Sequence, residues 1–277
     1  SDYGMSYLGS FYTTGQSYPA KQTTGANYKG FNDTLASWGS NRIMSQQCGT
    51  TWINTFGKIN GLYNSSSQLP LLQLVTWNDY EEGTEIESGI DNCLTVGASL
   101  SGTATALVSG TTLNFSPQGT GSEPATVNHY RIFVSSDGSH LMKLTDLAVG
   151  SRSLNLGSYS FAPGTYYFHV KMWGRASIRN HTSGGVKYTV SGVVIKSPVS
   201  GSTASSSVRV TASATAVRAP VKVMQIYLDG AKVYQILNTS TLDHYITAAR
   251  GRWHKIVVQA YDTNYYYFTS SVSVYVP

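Results

Sequence analysis

The sequence predicts a mixed fold, a short α/β segment followed by two all-β sandwiches. Three observations carry this. Residues 69–77, LPLLQLVTW, form a near-continuous apolar run, the pattern of a strand buried on both faces of a parallel sheet. Just before it, Thr51 to Tyr63 spaces Trp52, Ile53, Phe56, Ile59 and Leu62 as a helix does. From about residue 96 onward, short alternating runs separated by turn residues replace any helical period.

Taken in order, residues 1–8 suggest a strand entered midway, so the chain is expected to be either a piece of a longer protein or a form whose leader was removed. Residues 41–47, NRIMSQQ, suggest a second strand. Thr50 or Thr51 is placed to cap the helix that follows, and Gly61 and Asn64 lie near its end. Strand, helix and buried strand make a βα unit, and residues 1–95 are assigned to it. Residues 96–192 carry the runs 127–134, 166–173 and 186–190. The first leads into Ser135-Ser-Asp-Gly138, a hairpin signal. Residues 193–277 repeat the theme with 208–213, the pair 224–228 and 231–236 around Asp229-Gly230, then 254–261 and 271–276. Strands at this spacing over about a hundred residues each indicate immunoglobulin-like or fibronectin-type sandwiches. The short boundary at Ser191-Gly192 predicts stacked domains.

With 41% hydrophobic residues the chain has material for packed cores, which excludes a disordered protein. No run is long enough to span a bilayer, and no nucleotide, nucleic-acid or metal motif appears, so no cofactor and no metal are assigned. The net charge of +5 is unevenly placed: residues 1–95 hold eight acids and four bases, the remainder six acids and fifteen bases. The basic part suits an anionic partner, such as an acidic polysaccharide or a cell envelope, or serves solubility alone. Cys48 and Cys93 each follow a candidate strand and are structural, as a disulfide or as two buried thiols. Twenty tyrosines and 27 glycines beside 12% charged residues suit a β-rich protein that is secreted or on the cell surface.

The most informative stretch is residues 75–87, VTWNDYEEGTEIE. An apolar strand that empties into aromatic, amide and carboxylate residues delivers side chains as a barrel strand does at its C-terminal mouth. Asp79 and Glu82 stand three apart, and two carboxylates near one substrate divide acid and base roles. Trp77 and Tyr80 offer apolar faces to sugar rings, Asn78 a hydrogen bond to a hydroxyl, and Gln46 a further lining group. This run resembles the eighth-strand motif of glycoside hydrolase families 71 and 99, enzymes on a (β/α)8 barrel that cleave α-linked glycans. The resemblance implies that Asp79 is the first catalytic carboxylate and Glu82 the second, with Glu82 protonating the leaving oxygen. Glu81 departs from the His or Gly of the families. Residues 1–95 supply only the last two or three units of such a TIM-barrel-like domain, so this chain alone is expected to be inactive unless another chain supplies the missing strands.

A rival expectation makes the sandwiches the working part of a cell-surface adhesion or self-assembling protein, with strand edges free to pair between copies. A third places sugar on the aromatics of Tyr265-Tyr-Tyr-Phe268, and Tyr166 and Tyr167 after Pro163-Gly164 suit a structural tyrosine corner.

Overall fold

The computed structural model describes residues 4–18 and 20–277. The first segment holds α1 (Met5–Gln16), β1 (Thr24–Tyr28), β2 (Phe31–Asn32), β3 (Ile43–Met44), α2 (Thr50–Leu62) and β4 (Leu71–Val75). The strand expected at the N-terminus is a helix from Met5 on, and residues 1–3 lie outside the described residues. Leu8 and Tyr12, four apart, put one helical face against Ile59 of α2. The Tyr12 hydroxyl donates to the carbonyl of Ala26 on β1.

The strand expected over 41–47 shrinks to Ile43–Met44 and pairs antiparallel with β2. Its loop is held by Asp33, whose buried carboxylate accepts from the backbone N–H of Arg42 at 2.6 Å and of Ser40 at 3.2 Å and binds the Arg42 guanidinium. The parallel partner of β4 is therefore β1. Nor is β4 buried on both faces: Leu71, Leu72 and Leu74 are 54%, 38% and 46% exposed, and among the described residues β1 is its only strand neighbour. The helix is where its periodicity predicts, but neither threonine caps it. Gly49 takes the N-cap position at φ 80°, where a Cβ would meet the Ile178 side chain at 2.8 Å.

These facts correct the assignment of residues 1–95 to a TIM-barrel-like domain. The described residues contain nineteen strands, and only β1 and β4 form a parallel ladder in named strands. One βαβ crossover is not a segment of a closed (β/α)8 barrel, whose strands each have neighbours on both sides. The family resemblance drawn from residues 75–87 is corrected with it.

The rest of the chain forms two all-β sandwiches. The first contains β5 (Leu94–Ser101), β6 (Thr112–Gly119), the single turn α3 (Glu123–Thr126), β7 (Val127–Ser135), β8 (Met142–Ala148), β9 (Ser153–Asn155), β10 (Gly164–Gly174), β11 (His181–Thr182) and β12 (Val186–Val190). One sheet runs β5-β6-β9; the other runs β11-β10-β7-β8, with β12 also on β10. Between them Leu113, Tyr130, Ile132, Phe168, Val170 and Met172 are fully buried. Tyr166 donates to the carbonyl of Ala162 at 3.0 Å, four residues back, as a tyrosine corner does.

The second sandwich contains β13 (Gly192–Ser197), β14 (Ser207–Thr215), β15 (Val221–Leu228), β16 (Ala231–Leu237), β17 (Thr241–Thr247), β18 (Arg252–Asp262) and β19 (Tyr267–Val276). Its sheets are β13-β14-β17 and β16-β15-β18-β19, packed around Val210, Met224, Ile226, Ile256 and Val258. Asp229 and Gly230, at φ 49° and 91°, form the two-residue turn that matches strand twist.

The three parts are fastened together. Cys48 and Cys93 form a disulfide. Trp52 of α2 is buried with Ile86, Ile90 and Ile178, and its indole N–H donates to the carbonyl of Ala176 at 3.0 Å. Only Ser191 separates β12 from β13, and its hydroxyl accepts the N–H of Val217 at 2.9 Å. The Arg218 guanidinium donates to the carbonyl of Ala104 across the same junction.

Candidate functional site

Residues 76–87 fold as a turn closed on itself. The N–H groups of Ile86 and Glu87 both donate to the carbonyl of Trp77 at 3.0 Å, and the hydroxyls of Thr76 and Thr84 meet at 2.6 Å. Asp79 holds this turn, its carboxylate accepting the Glu82 N–H at 3.1 Å. The Tyr80 hydroxyl donates to Glu87, which pushes the phenol pKa up. Trp77 and Tyr80 are 64% and 52% exposed, and Asn78 is exposed beside them. Gln46 stands apart from these residues. It lines a cavity of about 270 Å³ with Lys29, Gly83 and Glu85, where Lys29 and Glu85 pair at 2.7 Å. The Gln46 side-chain oxygen there is buried without a partner among the described residues. The predicted residues thus divide between an exposed turn and a small polar cavity.

A better-formed site lies on the outer face of the first sandwich. Tyr130 and Ile132 on β7 point into the core, so His129 and Arg131 point out; Phe168, Val170 and Met172 on β10 do the same for Lys171 and Trp173. The antiparallel register sets Trp173 opposite His129 and Lys171 opposite Arg131. The His129 ring stacks on the indole, centroids 5.5 Å apart and planes 14° off parallel. The Arg131 guanidinium lies 4.6 Å and the Lys171 ammonium 4.4 Å from the indole centroid, both in cation–π range. The loop after β10 brings Arg175 and Asn180 round, and with Asn128, His129, Arg131 and Trp173 they line an open cleft of about 520 Å³; Lys171 sits on the indole at the edge of this cleft and is not part of its lining.

The electrostatics are one-sided. Asp146 on β8 takes a bidentate pair from Arg131 at 2.7 and 3.0 Å and a further bond from Lys143. The Arg131 bond, then that of Lys143, holds the Asp146 carboxyl well below the usual range. Lys171 and Arg175 have no carboxylate partner among the described residues; the Arg175 guanidinium donates to the carbonyl of Pro124 at 3.2 Å, and the buried His129 Nε2 lies 3.8 Å from the Asp146 carboxylate without a hydrogen bond. Fixed cations around an aromatic floor suit a ligand that has both a ring surface and an acid group.

Sequence reasoning missed this cleft. It read residues 127–134 and 166–173 only as strands. The signal was the alternation itself, because the residues between the core positions of both runs are basic or aromatic. The pairing register that joins them is not written locally.

No protein-family profile matches this chain, and no curated protein matches it. Among solved structures it is similar to fibronectin(III)-like modules of Clostridium thermocellum CbhA, at 22% identity and TM-score 0.28, over 30% of this chain and 94% of that one. It is also similar to the four N-terminal Ig domains of Dscam1 isoform 8.4, at 14% identity and TM-score 0.27, over 65% of this chain and 43% of that one. A third likeness is to the Yersinia pseudotuberculosis adhesin InvE, at 11% identity and TM-score 0.23, over 68% and 60% of the two chains. The sandwich topology described above rests on this chain's own strand order, not on these likenesses.

Proposed function

We propose that this chain is an extracellular surface-adhesion module, in which two stacked immunoglobulin-like sandwiches present a binding cleft for an anionic polysaccharide. The observation that carries it is the cleft around Trp173, with Arg175 in its lining and Lys171 on the indole at its edge, neither of them paired with a carboxylate among the described residues. The excess of bases over acids after residue 95 favours approach of a polyanion. The Cys48–Cys93 disulfide supports a secreted or cell-surface location, where such bonds persist. The Asp79–Glu82 turn has no part in this reading.

Electrophoresis through gels containing polygalacturonate tests it. The whole chain is expected to be retarded, and the Lys171→Ala/Trp173→Ala variant to lose most of that retardation. Free migration of the parent chain, or equal retardation of both, overturns the proposal.

A second reading, assembly with another chain through β4, is favoured by the edge of β4 that no strand covers among the described residues and by the exposed Leu71, Leu72 and Leu74. Light scattering separates the two readings, because adhesion by the cleft needs no change of mass.

A further inference from the structure

The second sandwich has an outer face that the Trp173 cleft does not involve. On β18 the residues His254, Ile256, Val258, Ala260 and Asp262 are buried, so the odd-numbered positions 253 to 261 face outward. The ladder between β18 and β19 has no irregularity from one end to the other. It sets Trp253 opposite Tyr275 at one end and Tyr261 opposite Tyr267 at the other. Both are ring pairs, with centroids 5.7 and 6.0 Å apart. Trp253 is 57% exposed and Tyr267 64%. Eight residue steps of strand separate them, about 26 Å.

The strip between the two pairs is mostly hydroxyl, amide and ammonium: Ser273 and Lys255, then Ser271 opposite the half-buried Val257, then Thr269 and Gln259. Next to it on β15, Gln225 and Tyr227 are hydrogen-bonded to one another and to Gln235 of β16, which fixes the amides in place. No carboxylate lies on the strip. Asp262 is buried, Asp243 is on the opposite sheet and bonded to Arg209, and Asp229 is held in its turn by His254 and the Lys255 N–H. A folded protein partner would need a broad apolar centre, and the one half-buried Val257 among hydroxyls, an amide and an ammonium does not make one. Aromatic pairs at both ends and hydrogen-bonding groups between them match a long polyhydroxylated chain laid along the strands.

We infer that the face formed by β18 and β19 is a second binding site, for an extended neutral polysaccharide that spans from the Trp253–Tyr275 pair to the Tyr261–Tyr267 pair. Stacking at each end and hydrogen bonds along the strip act together only on a ligand long enough to reach both, so affinity rises with chain length. A disaccharide meets one pair alone.

The test uses the whole chain in gels containing a soluble β-glucan, a xylan or a mannan, followed by a ladder of oligosaccharides from whichever polymer retards it. At least one polymer is expected to retard the chain. The octasaccharide is expected to bind at least tenfold more tightly than the trisaccharide. Trp253→Ala and Tyr267→Ala are each expected to weaken the octasaccharide roughly tenfold, with unchanged melting because both side chains are exposed. Ser271→Ala, at the middle of the strip opposite Val257, tests the hydrogen bonds between the pairs and is expected to weaken it as well. The inference is overturned if none of the three polymers retards the chain, if affinity is flat with length, or if the aromatic variants bind as the parent does. It is also overturned if those variants change the mass of the protein in light scattering, since the face would then join protein to protein.

Discussion

Glu123 opens α3 under the first sandwich, with its side chain only 10% exposed. One of its oxygens accepts from the Tyr130 hydroxyl at 2.8 Å, the Gly150 N–H at 3.1 Å and the Arg152 guanidinium at 3.0 Å; the other binds Arg152 as well. Replacing Arg152 by Met leaves a buried carboxylate with two neutral donors. Breaking a fully buried pair costs about 3–5 kcal/mol, but Arg152 is 46% exposed and solvent recovers part of that, so a loss of about 2 kcal/mol is expected. Glu123→Gln keeps the shape and removes the buried charge, and a smaller loss of about 1 kcal/mol is expected.

The two variants separate further with pH. Burial pushes the Glu123 carboxyl up, but the bonds from Arg152, Tyr130 and Gly150 outweigh it and hold the pKa below the ordinary value. A depressed folded pKa gives stability that is present above the unfolded value of 4.5 and lost as the pH falls through the folded one. The gap between the parent chain and Glu123→Gln, measured by urea denaturation, should therefore shrink from about pH 5 to about pH 3. A gap that stays constant or widens on acidification would refute the reasoning.

Other outcomes follow from the joints of the molecule. Converting Cys48 and Cys93 to Ala opens a loop spanning 45 residues and should cost about 4 kcal/mol, read as a shift in the urea midpoint. Trp52→Ala removes a side chain 1% exposed that locks α2 to the first sandwich, with an expected loss of about 3–5 kcal/mol and faster proteolysis within residues 4–90. Tyr166→Phe removes only the bond to Ala162 and should cost about 1 kcal/mol without altering the circular dichroism spectrum.

The sandwiches were legible because a half-buried strand writes its period locally. Alternation in 127–134 and 208–213 and the Asp229-Gly230 turn each carry their own geometry. The first segment was less so. The apolar run at 69–77 looks the same whether a strand is enclosed or has a free edge, because enclosure depends on neighbours outside the run. The short strand at Ile43–Met44 was overcalled because its limits come from the carboxylate of Asp33, ten residues upstream of Ile43. The helix at Met5–Gln16 has only Leu8 and Tyr12 buried, too short a stripe to announce its period. The two binding faces were hidden for a different reason. Trp173 and His129, or Trp253 and Tyr275, meet only through register, which no local pattern states.

The measurement that bears most directly on the proposed function is the salt dependence of oligogalacturonate binding to the whole chain, by titration calorimetry. If the cleft around Trp173 holds an acid group with Arg175 in its lining and Lys171 at its edge, raising the salt severalfold should weaken binding about tenfold in the parent chain. Lys171→Ala should bind more weakly and respond less to salt. Binding that ignores salt, or a Lys171→Ala variant as tight and as salt-sensitive as the parent, would contradict the account.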